Sequence, residues 1–435
     1  MIFRCRLLFV VAFAGAFLSA TNVRAATPPN VVLIISDDHA WTDYSFMGHP
    51  HIATPHIDRL ARESLTYTHG YVPCSLCCPS LASMITGLYP HQHKITSNDP
   101  PIPAGMPAGK FYQSPEFAAG RDVMNHFLEA VPTLPRLLGE QGYVSLQTGK
   151  WWQGDFRRGG FTHGMTQGQR HGDQGLEIGR KTMQPIFDFV AGAQQSGKPF
   201  MVWYAPMMPH SPHTPPERLL KKYAPLADSP HVAGYWAMIE WLDETVGELL
   251  TFLDEQSLAE NTIVVYLADN GWIQSPGGDR YAEKSKQSPY DGGLRTPILV
   301  RWPAKIKART CETPVLSIDI VPTILAALGR QPTKQMQGVN LLDERAVRNR
   351  QAIYGECFTH NAVDLDKPAA NLRWCWAISG GWKLIVPDAK NEPEAGVELY
   401  DLAADAHELR NLAGEQKEKV ARLREQLDAW WKPKN

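Results

Sequence analysis

This chain of 435 residues lacks an excess of charge of either sign, with 43 lysines and arginines facing 45 aspartates and glutamates. No global positive field is present to hold a phosphate backbone, which argues against nucleic acid as a partner. Cysteines are few, seven in all, and a chain of this size does not need staples to fold, so a disulfide mini-protein is excluded. Beyond the N-terminal segment no run is long and apolar enough to span a bilayer, and no internal repeat or low-complexity tract interrupts the chain. What is present is apolar material: 43% of residues are hydrophobic and 10% aromatic, enough for one large core or two moderate ones.

The apolar run from Leu7 to Ala20 follows Arg4 and Arg6, and Val23-Arg24-Ala25 ends in a small-x-small pattern. Residues 1–25 therefore read as a cleavable secretory signal, with the mature chain starting near Ala26 and residing in the periplasm or outside the cell. Cys5 leaves with the signal, and Cys74, Cys77, Cys78, Cys311, Cys357 and Cys375 enter an oxidising compartment. Their pairing cannot be read from the sequence, but three of them crowd into five residues.

Apolar β-branched runs at Val31 to Ile35, Phe200 to Tyr204, Ile263 to Leu267 and Pro297 to Val300 alternate with helical patterns. Another strand is expected at Tyr143 to Leu146. This rhythm predicts an α/β fold with a large sheet sandwiched by helices. Trp236, Ile239, Leu242, Val246, Leu249 and Leu253 recur at steps of three and four, which predicts an amphipathic helix over about 231–256. Thr54-Pro55 and Thr133 look like helix starts, and Gly142 like a helix stop. After Gly338 the pattern changes to short strand-like pieces (Ala352 to Gly355, Trp374 to Ser379, Trp382 to Val386) and a polar helix from about Gly414 to Trp431. The expected organisation is a catalytic domain over 26–340 and a smaller α+β subdomain over 341–435, with a short antiparallel sheet and a terminal helix.

Asp37-Asp38 follow the first strand, and Asp269-Asn270-Gly271 follow the strand ending at Leu267. Ligands of open α/β sheets gather beyond the carboxyl ends of the strands. Three carboxylates and one amide oxygen converging there would make a hard-oxygen site, suited to Ca²⁺ and less easily to Mg²⁺. Each pair taken alone reads more readily as a turn or a helix cap, and only their combination with the residues below favours a metal site. In Cys74-Ser75-Leu76-Cys77-Cys78-Pro79-Ser80-Leu81, Pro79 suits a first helical turn and Gly87 a stop, so Cys77 falls at a helix N-terminus, where free N–H groups favour an anionic or nucleophilic group. A redox pair of Cys74 and Cys77 and a zinc half-site are the competing readings, and neither finds its matching second element.

These residues resemble the sulfatase family, the formylglycine-dependent branch of the alkaline phosphatase superfamily. The family signature C-x-P-S-R followed by an apolar helix and T-G reads here Cys77-Cys78-Pro79-Ser80-Leu81 with Thr86-Gly87 after it. Asp37-Asp38 match the first metal pair, Asp269-Asn270 the second, and Gly149-Lys150-Trp151 the G-K-W segment. His210 sits in a P-H-x-P pattern, and Lys286 precedes Tyr290-Asp291-Gly292-Gly293-Leu294-Arg295-Thr296-Pro297, similar to Y-E-G-G-x-R-x-P. Glu398-Leu399-Tyr400-Asp401-Leu402 resembles a late E-L-Y-D-L strand.

The resemblance implies an alkaline phosphatase-like fold and an exported hydrolase of sulfate esters, with a sulfated carbohydrate as substrate. It implies that a formylglycine-generating enzyme oxidises Cys77 to formylglycine (3-oxoalanine) during export. One hydroxyl of the hydrated aldehyde, acidified by the metal, would attack sulfur, and the other would expel sulfate from the adduct. Asp37, Asp38, Asp269, Asn270 and position 77 would hold calcium. Lys150 and Lys286 would grip sulfate oxygens, and His210 would protonate or position the leaving oxygen.

Two positions depart from the pattern: Leu81 replaces the arginine of C-x-P-S-R, and Trp152 stands where the family has the histidine of G-K-W-H. These departures leave open a sulfated-glycan-binding pseudoenzyme, and because the superfamily uses the same nucleophile and metal for both chemistries, a phosphonate or phosphate diester hydrolase is the alternative among enzymes. The Gly-, Arg- and His-rich segment from Gly154 to Arg180, with Arg157, Arg158, His163, Arg170, His171 and Arg180, reads as a substrate wall or as a solvated loop. His91, His93 and His213 read as supporting groups or as structural histidines.

Overall fold

The computed structural model describes Ile2 and residues 28–433, so the expected signal segment lies outside the described residues. In chain order the strands are β1 (Asn30–Ser36), β2 (Leu65–Tyr71), β3 (Val144–Gly149), β4 (His163–Gly164), β5 (Phe200–Ala205), β6 (Thr262–Ala268), β7 (Arg295–Arg301), β8 (Arg309–Cys311), β9 (Val315–Leu316), β10 (Ile353–Phe358), β11 (Leu372–Ser379), β12 (Trp382–Pro387) and β13 (Glu398–Asp401). Among the described residues, nine strands form one sheet in the order β4-β3-β5-β1-β6-β7-β2-β8, with β9 beside β2. The strands from β4 to β6 run parallel, and β7 lies antiparallel to both β6 and β2.

Why the central strands read as unbroken apolar runs is visible in β1. Val31, Leu33 and Ile35 enter one core while Val32 and Ile34 enter the other, so neither face of the strand meets water. The helices that matter most for the site are α1 (Cys77–Thr86), α2 (Pro115–Glu129), α3 (Pro230–Glu255) and α4 (Lys417–Trp430). Ser229 caps α3 by accepting from the Val232 N–H at 3.3 Å, with Pro230 in the first turn. Met238, Leu242, Val246, Leu249 and Leu253 then cover the sheet from one side. All ten residues of α1 are buried on the other.

Two local expectations shift. The strand expected at Tyr143 to Leu146 starts at Val144 and continues to Gly149, because pairing with β5 holds the polar residues Gln147 and Thr148 in register. β2 escaped the hydrophobic pattern, since Thr66, Thr68 and His69 interrupt it. Pairing with β7 on one side and β8 and β9 on the other supplies what local sequence does not.

A second, four-stranded antiparallel sheet runs β10-β11-β12-β13. Helix α4 packs on it through Leu423 and Leu427 against Leu372, Cys375, Leu384 and Leu399. Lys383 on β12, fully buried, ties this sheet to the large one: its ammonium lies 2.8 Å from Asp291 and 2.7 Å from Glu408. The Tyr290 hydroxyl donates to Glu398, and the Cys357 thiol reaches the Ser288 carbonyl at 3.5 Å. The small sheet thereby pins the loop 284–291, which carries Lys286.

Candidate active site

Asp37 and Asp38 follow β1, Lys150 follows β3, and Asp269-Asn270 follow β6, so the ends of β1, its neighbour β6 and, across β5, β3 converge on the N-terminus of α1. The backbone there is specialised. Asp38 adopts φ 62 without being glycine, which costs energy and persists only where neighbours enforce it. Here the Asp38 N–H donates to Asp269 Oδ1 at 3.0 Å, and Tyr235 donates to the Asp38 carbonyl at 3.0 Å. Gly149 has φ 75 and lies against the Ala205 carbonyl where a Cβ would collide. The close approach lets the Lys150 N–H bond that carbonyl at 2.6 Å and turns the lysine side chain inward.

Cys77 Sγ sits at the centre. Lys150 Nζ donates to it at 3.2 Å and Lys286 Nζ at 3.0 Å. The same ammonium groups pair with Asp37 Oδ1 at 2.6 Å and Asp38 Oδ1 at 2.5 Å respectively. Asn270 Nδ2 donates to Asp38 Oδ1 at 2.7 Å, and His210 Nε2 lies 3.5 Å from Asp38 Oδ2. All eight residues proposed from the sequence therefore share one cluster, buried except for the half-buried His210.

Burial opposes ionisation of Asp38, but Lys286, His210 and Lys150 outweigh it and hold the carboxyl below its usual range. Burial together with the neighbouring Asp37 pushes Asp269 the other way, upward. The Cys77 thiol is raised to about 12 by burial, even though Lys150 and Lys286 favour the thiolate. A plain thiol at this position is thus a poor nucleophile at neutral pH.

Four buried oxygens here have no hydrogen-bond partner: Asp37 Oδ2, Asp38 Oδ2, Asp269 Oδ2 and Asn270 Oδ1. Buried acceptors are normally satisfied, so four orphans within one cluster fit a cation beside them. Ligand atoms of Asp37, Cys77 and Asp269 lie within 4.8 Å of one another, as do those of Asp37, Asp38 and His210. The donor set is hard oxygen, fitting Ca²⁺ or Mg²⁺ rather than a soft metal.

The crowded cysteines are distinguished by their surroundings. Cys78 Sγ turns away and accepts from Gln153 at 3.1 Å, and its N–H donates to Asn98 Oδ1 at 2.9 Å. All six described cysteines are free thiols. Leu81, one turn along α1, is buried in the apolar core.

Trp152 is buried 3% exposed, with Arg121, Lys150 and Arg170 within 5.9 Å of its ring and His171 edge-on to it. Of the Gly154 to Arg180 segment, Arg170, His171 and Arg180 reach the site; Arg180 holds the His210 carbonyl at 2.7 Å. Arg157 and Arg158 pair with Asp155, and with Asp122 and Glu129, away from it. His163 is exposed beside Phe189. His93 bonds Ser83, and His91 bonds buried Glu356 and stacks on Trp431. His213 stands next to Tyr235. The sequence reading missed Asn98, Asp99, Arg121 and Gln153: Asn98 and Asp99 lie outside regular elements, Arg121 lies on α2 and Gln153 just past the G-K-W segment, and each is drawn to the site by partners distant in the chain.

A family model described as Sulfatase matches residues 29–330, and one described as N-sulphoglucosamine sulphohydrolase, C-terminal, matches 281–432. Human arylsulfatase A is 29% identical over 375 residues, covering 74% of this chain and 68% of its own. An N-acetylgalactosamine-6-O-sulfatase of Bacteroides thetaiotaomicron is 26% identical, with 94% of each chain covered. A crystal structure of Ps i-CgsB in complex with k-i-k-neocarrahexaose superposes with a TM-score of 0.75 at 21% identity, covering 94% of both chains, and shares the fold.

Proposed function

The chain belongs to the sulfatase family, a sulfuric ester hydrolase, and from that premise we propose that it removes sulfate from a sulfated carbohydrate with formylglycine made from Cys77 and one bound calcium ion. The four orphaned oxygens of Asp37, Asp38, Asp269 and Asn270, set beside two lysines that both touch position 77, carry this reading. The metal would be held by those four residues together with position 77, and when bound it would supply Lewis acidity to the nucleophile and the sulfate oxygens. Formylglycine at position 77 would supply a hydrated aldehyde in place of a thiol that burial keeps protonated.

The chain's own residues do the rest. Lys150 and Lys286 offer two fixed ammonium groups to the sulfate oxygens, and their desolvation makes each worth more than it would be in water. His210, whose pKa is pushed below the usual histidine value chiefly by burial and Lys150, would position or protonate the leaving oxygen. Trp152 beside Lys150, and Trp272, whose ring lies 5.5 Å from Lys286 Nζ, are buried against the two lysines and would exclude bulk water.

Relatives named as sulfatases of sulfated amino sugars support a sulfated glycan as substrate, and favour it over a phosphonate or phosphate diester. Among the described residues no helix is long and apolar enough to cross a membrane. Export, with conversion of Cys77 by a formylglycine-generating enzyme on the way, completes the proposal, as does a division near residue 340 between catalytic domain and C-terminal subdomain. The test is a screen of sulfate release over defined sulfated saccharides, run beside an aryl sulfate and an aryl phosphonate. Sulfate release from at least one saccharide is expected, and phosphonate hydrolysis without it would sink the proposal.

A further inference from the structure

We propose that Asp99, Arg170 and His171 form a fixed polar array whose end, the Nδ1–H of His171, is an uncharged donor to an oxygen of the bound sulfate ester. The proposal rests on the function given above for the site. Asp99 is fully buried, and Arg170 forks onto it with Nε at 2.9 Å from Oδ1 and Nη2 at 2.8 Å from Oδ2. The remaining arm, Nη1, lies 2.8 Å from His171 Nε2. A guanidinium has donors and no acceptor, so Nε2 must accept and the ring proton must sit on Nδ1.

That Nδ1–H has no hydrogen-bond partner among the described residues. The ring stands edge-on to Trp152 at 4.4 Å and 5.9 Å from the ring of His210. Burial, reinforced by the charges of Lys150, Arg170, His210 and Lys286, strongly disfavours a second proton. The donor is therefore neutral, and it adds direction to the anion pocket without adding charge.

The backbone is committed to this placement. His171, Gly172 and Asp173 carry successive positive φ values of 71, 125 and 37. The strain is held by three neighbours: the Trp151 N–H donates to the His171 carbonyl at 3.0 Å, a Cβ on Gly172 would meet the Gly149 carbonyl at 2.6 Å, and Asp173 accepts from the Gln167 N–H at 2.9 Å. Strain of this kind is retained where surrounding contacts over-determine it, commonly at a ligand clamp.

The test uses the full chain labelled with ¹⁵N-histidine, with His171→Gly identifying the His171 signals, since glycine tolerates φ 71. Long-range ¹H–¹⁵N spectra should show the Nδ1–H tautomer, and inorganic sulfate should move it. Arg170→Lys, which cannot both fork on Asp99 and reach His171, should lose the tautomer signature. In H171G the inhibition constant for inorganic sulfate should rise roughly tenfold or more, as expected for one hydrogen bond to a charged group. His171→Asn, which also tolerates positive φ and keeps a donor, should recover part of that loss. An Nε2–H or doubly protonated ring, or an unchanged inhibition constant in H171G while the parent protein hydrolyses 4-nitrophenyl sulfate, overturns the array. If the parent protein binds inorganic sulfate through His171 as described but releases none from any ester, the array stands and the hydrolase reading fails.

Discussion

Lys286 Nζ lies 2.5 Å from Asp38 Oδ1, joining a loop pinned by the small sheet to the carboxylate pair that ends β1. The same ammonium touches Cys77 Sγ at 3.0 Å, so one side chain pairs with Asp38 and places positive charge beside position 77. Removing Lys286 as alanine should lower kcat about 100-fold or more, in line with loss of one preorganised donor to a charged transition state. Steady-state kinetics on an aryl sulfate, with calcium affinity measured alongside, checks this, and an unchanged kcat would remove Lys286 from the chemistry.

Lys150 differs from Lys286 in being more deeply buried, 1% exposed against 7%. Lys150→Ala would strand Asp37 without its partner at 2.6 Å, a defect that costs about 3–5 kcal/mol in buried pairs. Both activity and urea-unfolding stability should therefore fall in this variant. Normal stability with activity lost would mean that water or metal satisfies Asp37 in its place.

Asp38→Ala and Asp269→Ala should each abolish calcium binding. Each would remove one hard oxygen from a set whose orphaned members make no hydrogen bond within the protein. Titration calorimetry showing undiminished affinity in either variant would exclude that residue as a ligand.

Cys77 should carry formylglycine in protein from the native host, even though Leu81 replaces the arginine of the family signature. The Cys77 side chain faces both lysines, whereas Cys78 Sγ faces Gln153. Mass spectrometry of the peptide spanning Ser75 to Leu81 should find the aldehyde at position 77. An intact thiol there in protein that still hydrolyses sulfate esters would overturn the mechanism.

Asp243 on α3 accepts the His56 and Ile57 N–H groups at 3.1 and 2.7 Å, yet burial pushes its pKa up to about 7. The folded value thus exceeds the unfolded value of about 3.9. Its favourable contribution is complete below pH of about 4 and is lost as pH rises to about 7. Asp243→Asn cannot titrate, so the stability of the parent protein relative to the variant should decline across that window and level off above it. A constant difference in urea-unfolding free energy would mean that Asp243 is ionised throughout.

Much of the site was legible because its residues sit at predictable places on regular elements. Asp37-Asp38 and Asp269-Asn270 follow apolar strands, and the Pro79 and Gly87 signals place Cys77 at the start of a helix, as the structure has it. Local sequence does not say which strand ends are neighbours. That β1 lies between β5 and β6, and β3 beside β5, brings residues more than 230 positions apart into contact.

By itself, then, the sequence determined the α/β class, the α3 helix and the residue types of the site, since hydrophobic period and turn chemistry are local properties. Only the tertiary structure decided the rest. It brought β2 into the sheet despite its polar residues, turned Cys78 from the site toward Gln153, and seated His171 against Trp152 through Arg170 and Asp99. Those outcomes depend on hydrogen-bond partners far away in the chain, and no local pattern encodes a partner that only folding supplies.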